Sequence, residues 1–308
     1  IGSRHLQSIL KLKFPVNVYV VDPREQSQKA VQELISKEKH KNKSIYFFKS
    51  IDALPEFLDL VIIATTADVR AEITKNLLFS KKIKNLILEK FLFQKQEDYS
   101  KIGKLLVSKK VNTWVNCPRR EWKVYKDLNK ILQNEIILSI NVSGTNLGLC
   151  TNSIHFIDLV SFLTGQQDYQ LNTSKIENKV LQSKRKGFVE LLGTLQGYTE
   201  SKVAFSITSF SKGSTANIVT ITTNNALYII DETNKILISL NSKKSSSPKL
   251  TRIDIPFQSE LTQKVVQTIL STNSCNLPLF KISSNLHLPL LQAFTLKISS
   301  IKKVKFNL

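Results

Sequence analysis

Methionine is absent from all 308 residues and cysteine occurs only three times. With no initiator, a chain that opens at Ile1 is expected to be truncated at its N-terminus. Cys117, Cys150 and Cys275 are too widely spaced for a disulfide framework and match no C-x-x-C metal pattern. A reducing, cytoplasmic setting is therefore expected. No stretch approaches the roughly 20 apolar residues of a membrane span. No charged-then-apolar leader with a small-residue cleavage site is recognised. Arginine is scarce: seven of the 44 basic residues, in a chain of net charge +20. Nucleic-acid surfaces favour arginine forks and interleaved aromatics on one face. Here lysines scatter in runs such as Ser36–Lys43, amid abundant isoleucine and asparagine, which reads as a solvated surface of biased composition. Binding to nucleic acid is not expected; attraction for anionic ligands or a membrane surface is the weaker alternative. No histidine, cysteine or carboxylate spacing marks a metal site, no Gly-x-Ser-x-Gly elbow occurs, and there is no internal repeat.

What is present fits two globular domains, with 42% hydrophobic and 22% charged residues. An amphipathic segment, Leu6–Lys13, ends at Pro15, and Val16–Asp22 then reads as a strand stopped by Pro23. Helix is predicted over about 25–37, strand over 45–48, strand over 59–64, helix over 68–78 and strand over 86–89. Helix over 94–109 and strand over 111–115 continue an alternation that predicts a doubly wound parallel sheet to about residue 127. Then the pattern changes. A strand over 135–142 and a helix over 152–163, closed by Gly165, precede strands at 188–196, 201–208, 216–222, 226–231 and 236–240. Their alternation predicts an antiparallel sheet with one covered face. Lys243–Pro248 reads as an exposed turn, and helices over 258–271 and 286–299 close the chain.

Leu86-Ile87-Leu88-Glu89-Lys90 is a buried-strand pattern that delivers two polar side chains to its carboxyl end, where open parallel sheets bind ligands. A lysine there is costly unless partnered, and alternation puts Glu89 and Lys90 on opposite faces. A snorkelling surface lysine is the bland alternative. His155 and Asp158 share a face of an otherwise apolar helix, so they line something or are satisfied core residues. His5 and His40 read as surface residues, and His287 as the cap of a C-terminal helix.

Five segments, in order, resemble the Gfo/Idh/MocA family of oxidoreductases, collinearly over nearly the whole chain. Ile1-Gly2-Ser3-Arg4-His5-Leu6 resembles the tail of its Gly-x-Gly-x-x-Gly turn. Thr65-Thr66-Ala67-Asp68-Val69-Arg70-Ala71-Glu72 resembles its Ala-Thr-Pro-x-x-x-His-x-Glu stretch, with Thr66 for proline and Arg70 for histidine. Glu89-Lys90-Phe91-Leu92 resembles Glu-Lys-Pro-Leu, and Asn116-Cys117-Pro118-Arg119-Arg120-Glu121-Trp122 the Asn-x-Arg-(Phe/Trp) turn. Gly144–Gly165 resembles the substrate helix.

The resemblance implies a Rossmann NAD(P)-binding domain over 1–120, its first strand preceding Ile1, and an α+β substrate and oligomerisation domain over 121–308 with a mostly antiparallel open sheet. It implies an NAD(P)-dependent oxidoreductase acting on a CH–OH group of a sugar, polyol or nucleotide sugar. A non-catalytic dinucleotide-binding sensor or scaffold is the alternative. Gly2, Ser3, Arg4 and His5 would seat the cofactor at a helix N-terminus, with Ala64, Thr65, Thr66, Val69, Glu89 and Lys90 around it. Asp22 would accept from the ribose hydroxyls, favouring NAD, or is a solvated strand-end acid; Arg24 keeps NADP open. Lys90 and His155 would be catalytic, with Arg119, Arg120, Trp122, Thr151, Asn152 and Asp158 binding substrate. The paired arginines favour an anionic substrate, or simply brace the domains. Many family members carry an aspartate where Thr151 stands, which alters the expected proton relay. A homodimer or homotetramer is expected through the open sheet face.

Overall fold

Leu6 and Leu10, one helical turn apart, bury against Val18, and this small apolar seam roots the start of the chain. In the computed structural model, residues 1–36, 42–183, 185, 187–241 and 247–302 are described. His40, most of the lysine run beside it and most of the turn expected at Lys243–Pro248 lie outside them. The chain divides into two compact units: Ile1–Asn116 with Pro256–Leu279, and Cys117–Ile255 with the chain from Phe280 onward. Pro256–Leu279, expected in the second domain, thus belongs to the first unit.

The first unit runs α1 (Gly2–Ile9), β1 (Val16–Val21), α2 (Glu25–Ser36), β2 (Lys43–Phe48), β3 (Phe57–Ile63), α3 (Ala67–Ser80), β4 (Lys82–Leu88), α4 (Gln96–Ser108) and β5 (Asn112–Val115). All strand pairs here are parallel. The strands form a pair, β1–β2, and a triple, β3–β4–β5, and no described strand joins β1 to β3. β4 is the core: Leu86, Ile87 and Leu88 are at most 2% exposed, each burial contributing about 1.5–3 kcal/mol. β3, whose apolar run predicts a sheet interior, is only half-buried over most of its length.

The second unit begins with α5 (Lys123–Leu132), β6 (Ile137–Thr145) and α6 (Leu149–Thr164), then β7 (Tyr169–Asn172), β8 (Leu181–Gln182), β9 (Val189–Glu190) and β10 (Gly193–Thr199). It continues through β11 (Ala204–Phe210), β12 (Ile218–Thr223), β13 (Ala226–Asp231), β14 (Ile236–Asn241) and β15 (Lys249–Arg252). The chain then gives α7 (Gln258–Thr272) to the first unit and ends in α8 (Phe280–Lys302). Eight strands make one sheet, ordered β15-β14-β13-β12-β6-β11-β10-β7, in which only β6–β11 is parallel. The strand expected over 188–196 is two. Gly193 breaks it at φ +95°, where a Cβ would lie 2.5 Å from the Lys175 carbonyl oxygen, so only glycine fits. The break leaves Glu190 on the β8–β9 hairpin, apart from the main sheet.

α6 is mostly buried, with nine apolar residues among its 16, and starts three residues earlier than its pattern predicts. His287 is not a cap. It is fully buried in the middle of α8, its Nδ1 2.7 Å from the Ser283 carbonyl oxygen. No described helix is long and apolar enough to cross a membrane.

Candidate functional site

In the first unit, β1, β3 and β4 stop at Val21, Ile63 and Leu88. Asp22, Ala64-Thr65-Thr66 and Glu89-Lys90 therefore stand at the carboxyl ends of parallel strands. Gly2 opens α1 against this edge, where an added Cβ would meet Ala64 Cβ at 3.6 Å. The first N–H groups of a helix have no intrahelical partner, so α1 presents donors here. The buried Thr65 hydroxyl also has no partner among the described residues. A cavity of about 350 Å³ is lined by Arg4, Phe257, Gln258 and Ser259. Val69, on α3, is exposed.

Arg24 grips Asp22 with its backbone N–H (2.9 Å), Nε (3.1 Å) and Nη2 (3.0 Å). Those hydrogen bonds outweigh partial burial and hold the Asp22 carboxyl below the ordinary carboxylate range. Arg70, quoted in the sequence only as a departure from histidine, is 2% exposed. It donates to the Leu92 carbonyl (2.9 Å) and to those of Phe91 and Thr65, tying the loops after β3 and β4 together. Tyr99 donates to the Phe93 carbonyl at 3.0 Å and braces the same loop. Lys90, half-buried, is carried by that loop.

His5 is a correction: read from sequence as a surface residue, it is 4% exposed. Its Nε2 lies 2.9 Å from Glu89 Oε1 and its Nδ1 2.8 Å from Thr262 Oγ1. Asn116 donates to Glu89 Oε1 (2.5 Å) and to Gln258 Oε1 (3.1 Å), and Gln258 donates to Thr262 (2.8 Å). This closed polar ring pins α1 and α7 to the β4 end. Burial pushes the Glu89 carboxyl up, but the His5 and Asn116 hydrogen bonds and the charge of Lys90 bring it below the ordinary range. A depressed carboxyl stabilises the fold above its unfolded pKa of about 4.3, and that stability is lost as pH falls through the folded value. The advantage of the native chain over Glu89→Gln in urea unfolding is therefore expected at pH 7, and should begin to fade below the unfolded pKa of about 4.3 and disappear as pH falls through the folded value; a pH-independent difference would remove Glu89 from the acid response.

In the second unit a cavity of about 180 Å³ is lined by Arg119, Leu147, Asn152, His155, Phe156 and Asn217. α6 supplies three of these at i, i+3 and i+4, one helix face. Gly144, on β6, makes room for a fourth: a Cβ there would run into Asn217 Oδ1 and sit 3.3 Å from Asn217 Cα. Asn217, Glu190 and Glu232 carry no local sequence signal; they meet the site through sheet and hairpin pairing.

Arg119 is buried and bidentate on Glu232, Nε to Oε1 at 2.7 Å and Nη2 to Oε2 at 2.6 Å. Tyr125 donates to the same carboxylate at 2.7 Å, and the Arg119 guanidinium lies 4.1 Å from the Phe156 ring centroid and 5.0 Å from that of Trp122. Arg120 clasps Asp158 through three contacts of 2.7–3.0 Å. Although His155 and Asp158 are close on α6, His155 lines the cavity while Asp158, 1% exposed, faces Arg120. Trp122 is nearly buried, its indole N–H without a partner among the described residues. Glu190 accepts from the Cys150 N–H (2.9 Å) and the Thr151 hydroxyl, satisfying the α6 N-terminus, with burial holding its carboxyl above the ordinary range. Burial, then the charge of Glu190, raises the Cys150 thiol well above its usual value, so it is no nucleophile. Among the described residues no three histidine, cysteine or acidic side chains gather as a metal site.

No protein-family profile and no curated protein matches this chain. Solved structures do. The chain is similar to the UDP-N-acetylglucosamine 3-dehydrogenase GnnA of Acidithiobacillus ferrooxidans, with a TM-score of 0.76 at 12% identity over 98% of this chain and 95% of that one. It is similar to a super-repressor mutant of Gal80p from Saccharomyces cerevisiae, with a TM-score of 0.72 at 15% identity over 98% and 93%. The dehydrogenase MviM of Clostridium difficile gives a TM-score of 0.63 at 16% identity over 94% and 99%. The shared feature is the fold: a parallel Rossmann-like domain followed by a mostly antiparallel mixed sheet with helices.

Proposed function

We propose that this chain is an NAD(P)-dependent oxidoreductase of the Gfo/Idh/MocA group, acting on a secondary alcohol or ketone carbon of a sugar, polyol or nucleotide sugar. The observation that carries this reading is the meeting of the α1 N-terminus, at Gly2, with Ala64 at the carboxyl end of β3. A helix N-terminus attracts the pyrophosphate, and the unpartnered Thr65 hydroxyl and the cavity beside Arg4 suit a bound polar group. Asp22 keeps acceptor capacity for ribose hydroxyls, since a carboxylate has about four lone-pair sites; Arg24, its side chain 75% exposed, suits a 2′-phosphate. The nicotinamide carries the hydride when bound. In the first unit Lys90 is the charge that would stabilise a developing alkoxide, and in the second His155 is a cavity-lining group suited to a hydroxyl. The neutral and apolar side chains of the outer sheet face, such as Leu250, support a homo-oligomer.

The test is fluorescence titration with NADH and NADPH. Micromolar binding of either, weakened at least about tenfold by Asp22→Ala for NADH or by Arg24→Ala for NADPH, is the expected result. No binding of either cofactor would end the reading. A second reading, a dinucleotide-binding regulator without turnover, is favoured by Thr151, which supplies no carboxylate to α6, and by the likeness to Gal80p. It expects cofactor binding with no sugar-dependent change in nicotinamide absorbance.

A further inference from the structure

Three positive features stand in the second unit: the guanidinium of Arg119, which lines the cavity, that of Arg120, the next residue, and the N-terminus of the 16-residue α6. Each already holds a carboxylate of the protein's own. Glu232 takes Arg119 bidentately and Asp158 takes Arg120, and Glu190 occupies the first turn of α6 through the Cys150 N–H and the Thr151 hydroxyl. Arg119 is the one lining side chain of fixed charge, and the other polar lining groups are Asn152, His155 and Asn217. Glu190 takes the Thr151 hydroxyl and the backbone N–H groups of Cys150, Thr151 and Leu191, so the anion seat at the start of α6, one helical turn from His155, is already filled.

We infer that this cavity selects an uncharged, hydroxylated ring and turns carboxylate and phosphate groups away. The inference runs against the anionic substrate that the paired arginines favour in the sequence. An anion entering here would meet guanidinium groups and a helix N-terminus that already hold carboxylates, whereas a ring hydroxyl both donates and accepts and suits amides and imidazole. The long-range field works the other way, because a net charge of +20 raises the local concentration of anions. Discrimination against an acid would therefore arise inside the cavity. The inference rests on the cavity being the substrate site of the proposed oxidoreductase.

The experiment is ligand titration of the full chain at about pH 8, above the usual range of imidazole and carboxyl groups. Matched pairs serve as probes: D-glucose with D-glucuronate, and D-galactose with D-galacturonate, followed by calorimetry and saturation-transfer NMR. A neutral member should bind, and its acid at least about tenfold more weakly. Glu190→Gln and Glu232→Gln should each narrow that gap at least about threefold, the second by freeing Arg119. Should Glu232→Gln fail to fold, Glu190→Gln carries the test alone. Acids that bind as well as or better than the neutral sugars would overturn the inference, as would binding of neither neutral sugar or a gap unmoved in the folded variants. NADH titration in the same samples separates the two readings. Sugar discrimination without NADH binding would strike the oxidoreductase and leave the cavity's selectivity standing.

Discussion

Replacing Asp158 with alanine is expected to cost about 3–5 kcal/mol of stability, because it leaves the Arg120 guanidinium buried without its counter-ion. The pair is made of three short contacts between side chains 11% and 1% exposed, and the guanidinium also lies 5.4 Å from the Phe162 ring centroid. Desolvation has already been met in the native fold, so removal of one partner exposes the full penalty of the other. Replacing both, as Arg120→Met with Asp158→Leu, should recover most of the loss, since a packed apolar pair of similar volume is often neutral or stabilising. Urea unfolding of the two variants beside the native chain decides the matter. A loss below about 1 kcal/mol for Asp158→Ala would place the pair among weak surface bridges.

Lys90→Ala is expected to lower kcat by about 10²–10⁴-fold, the range for removing a positioned proton-transfer or charge-stabilising group. The loop that carries Lys90 is anchored independently by Arg70 and Tyr99, so the substitution should leave the fold nearly unchanged. Turnover is to be followed by nicotinamide absorbance with myo-inositol, D-glucose and UDP-N-acetylglucosamine. A substrate turned over by the native chain and equally by Lys90→Ala would remove Lys90 from the mechanism. An Arg70→Ala variant separates the roles: through its grip on the Phe91 and Leu92 carbonyls it should lower kcat and stability together.

Much of the first unit is legible in the sequence because its parallel strands read as apolar runs, fully buried at the end of β4 and half-buried in β1 and β3. Val16–Val21, Phe57–Ile63 and Lys82–Leu88 end where Asp22, Ala64 and Glu89 begin, as the pattern predicts. The Gly193 break was not legible: its neighbours alternate like one strand, and only the approach of the Lys175 carbonyl demands a glycine. His5 was misjudged for a related reason. Its partners Glu89 and Thr262 come from distant parts of the chain, and a polar helix start offers no sign that tertiary contacts will bury it.

Local patterning thus determined the element types, the two-part architecture and the residues presented at the strand ends, because hydrophobic period and chain punctuation act over a few residues. The charge state of the candidate substrate cavity was decided only by tertiary structure. Arg119 and Glu232, Arg120 and Asp158, and Thr151 and Glu190 are separated by 113, 38 and 39 residues. In the sequence the arginines count as free positive charge. In the fold each faces a buried carboxylate, since a desolvated ion persists inside a protein only when it is paired.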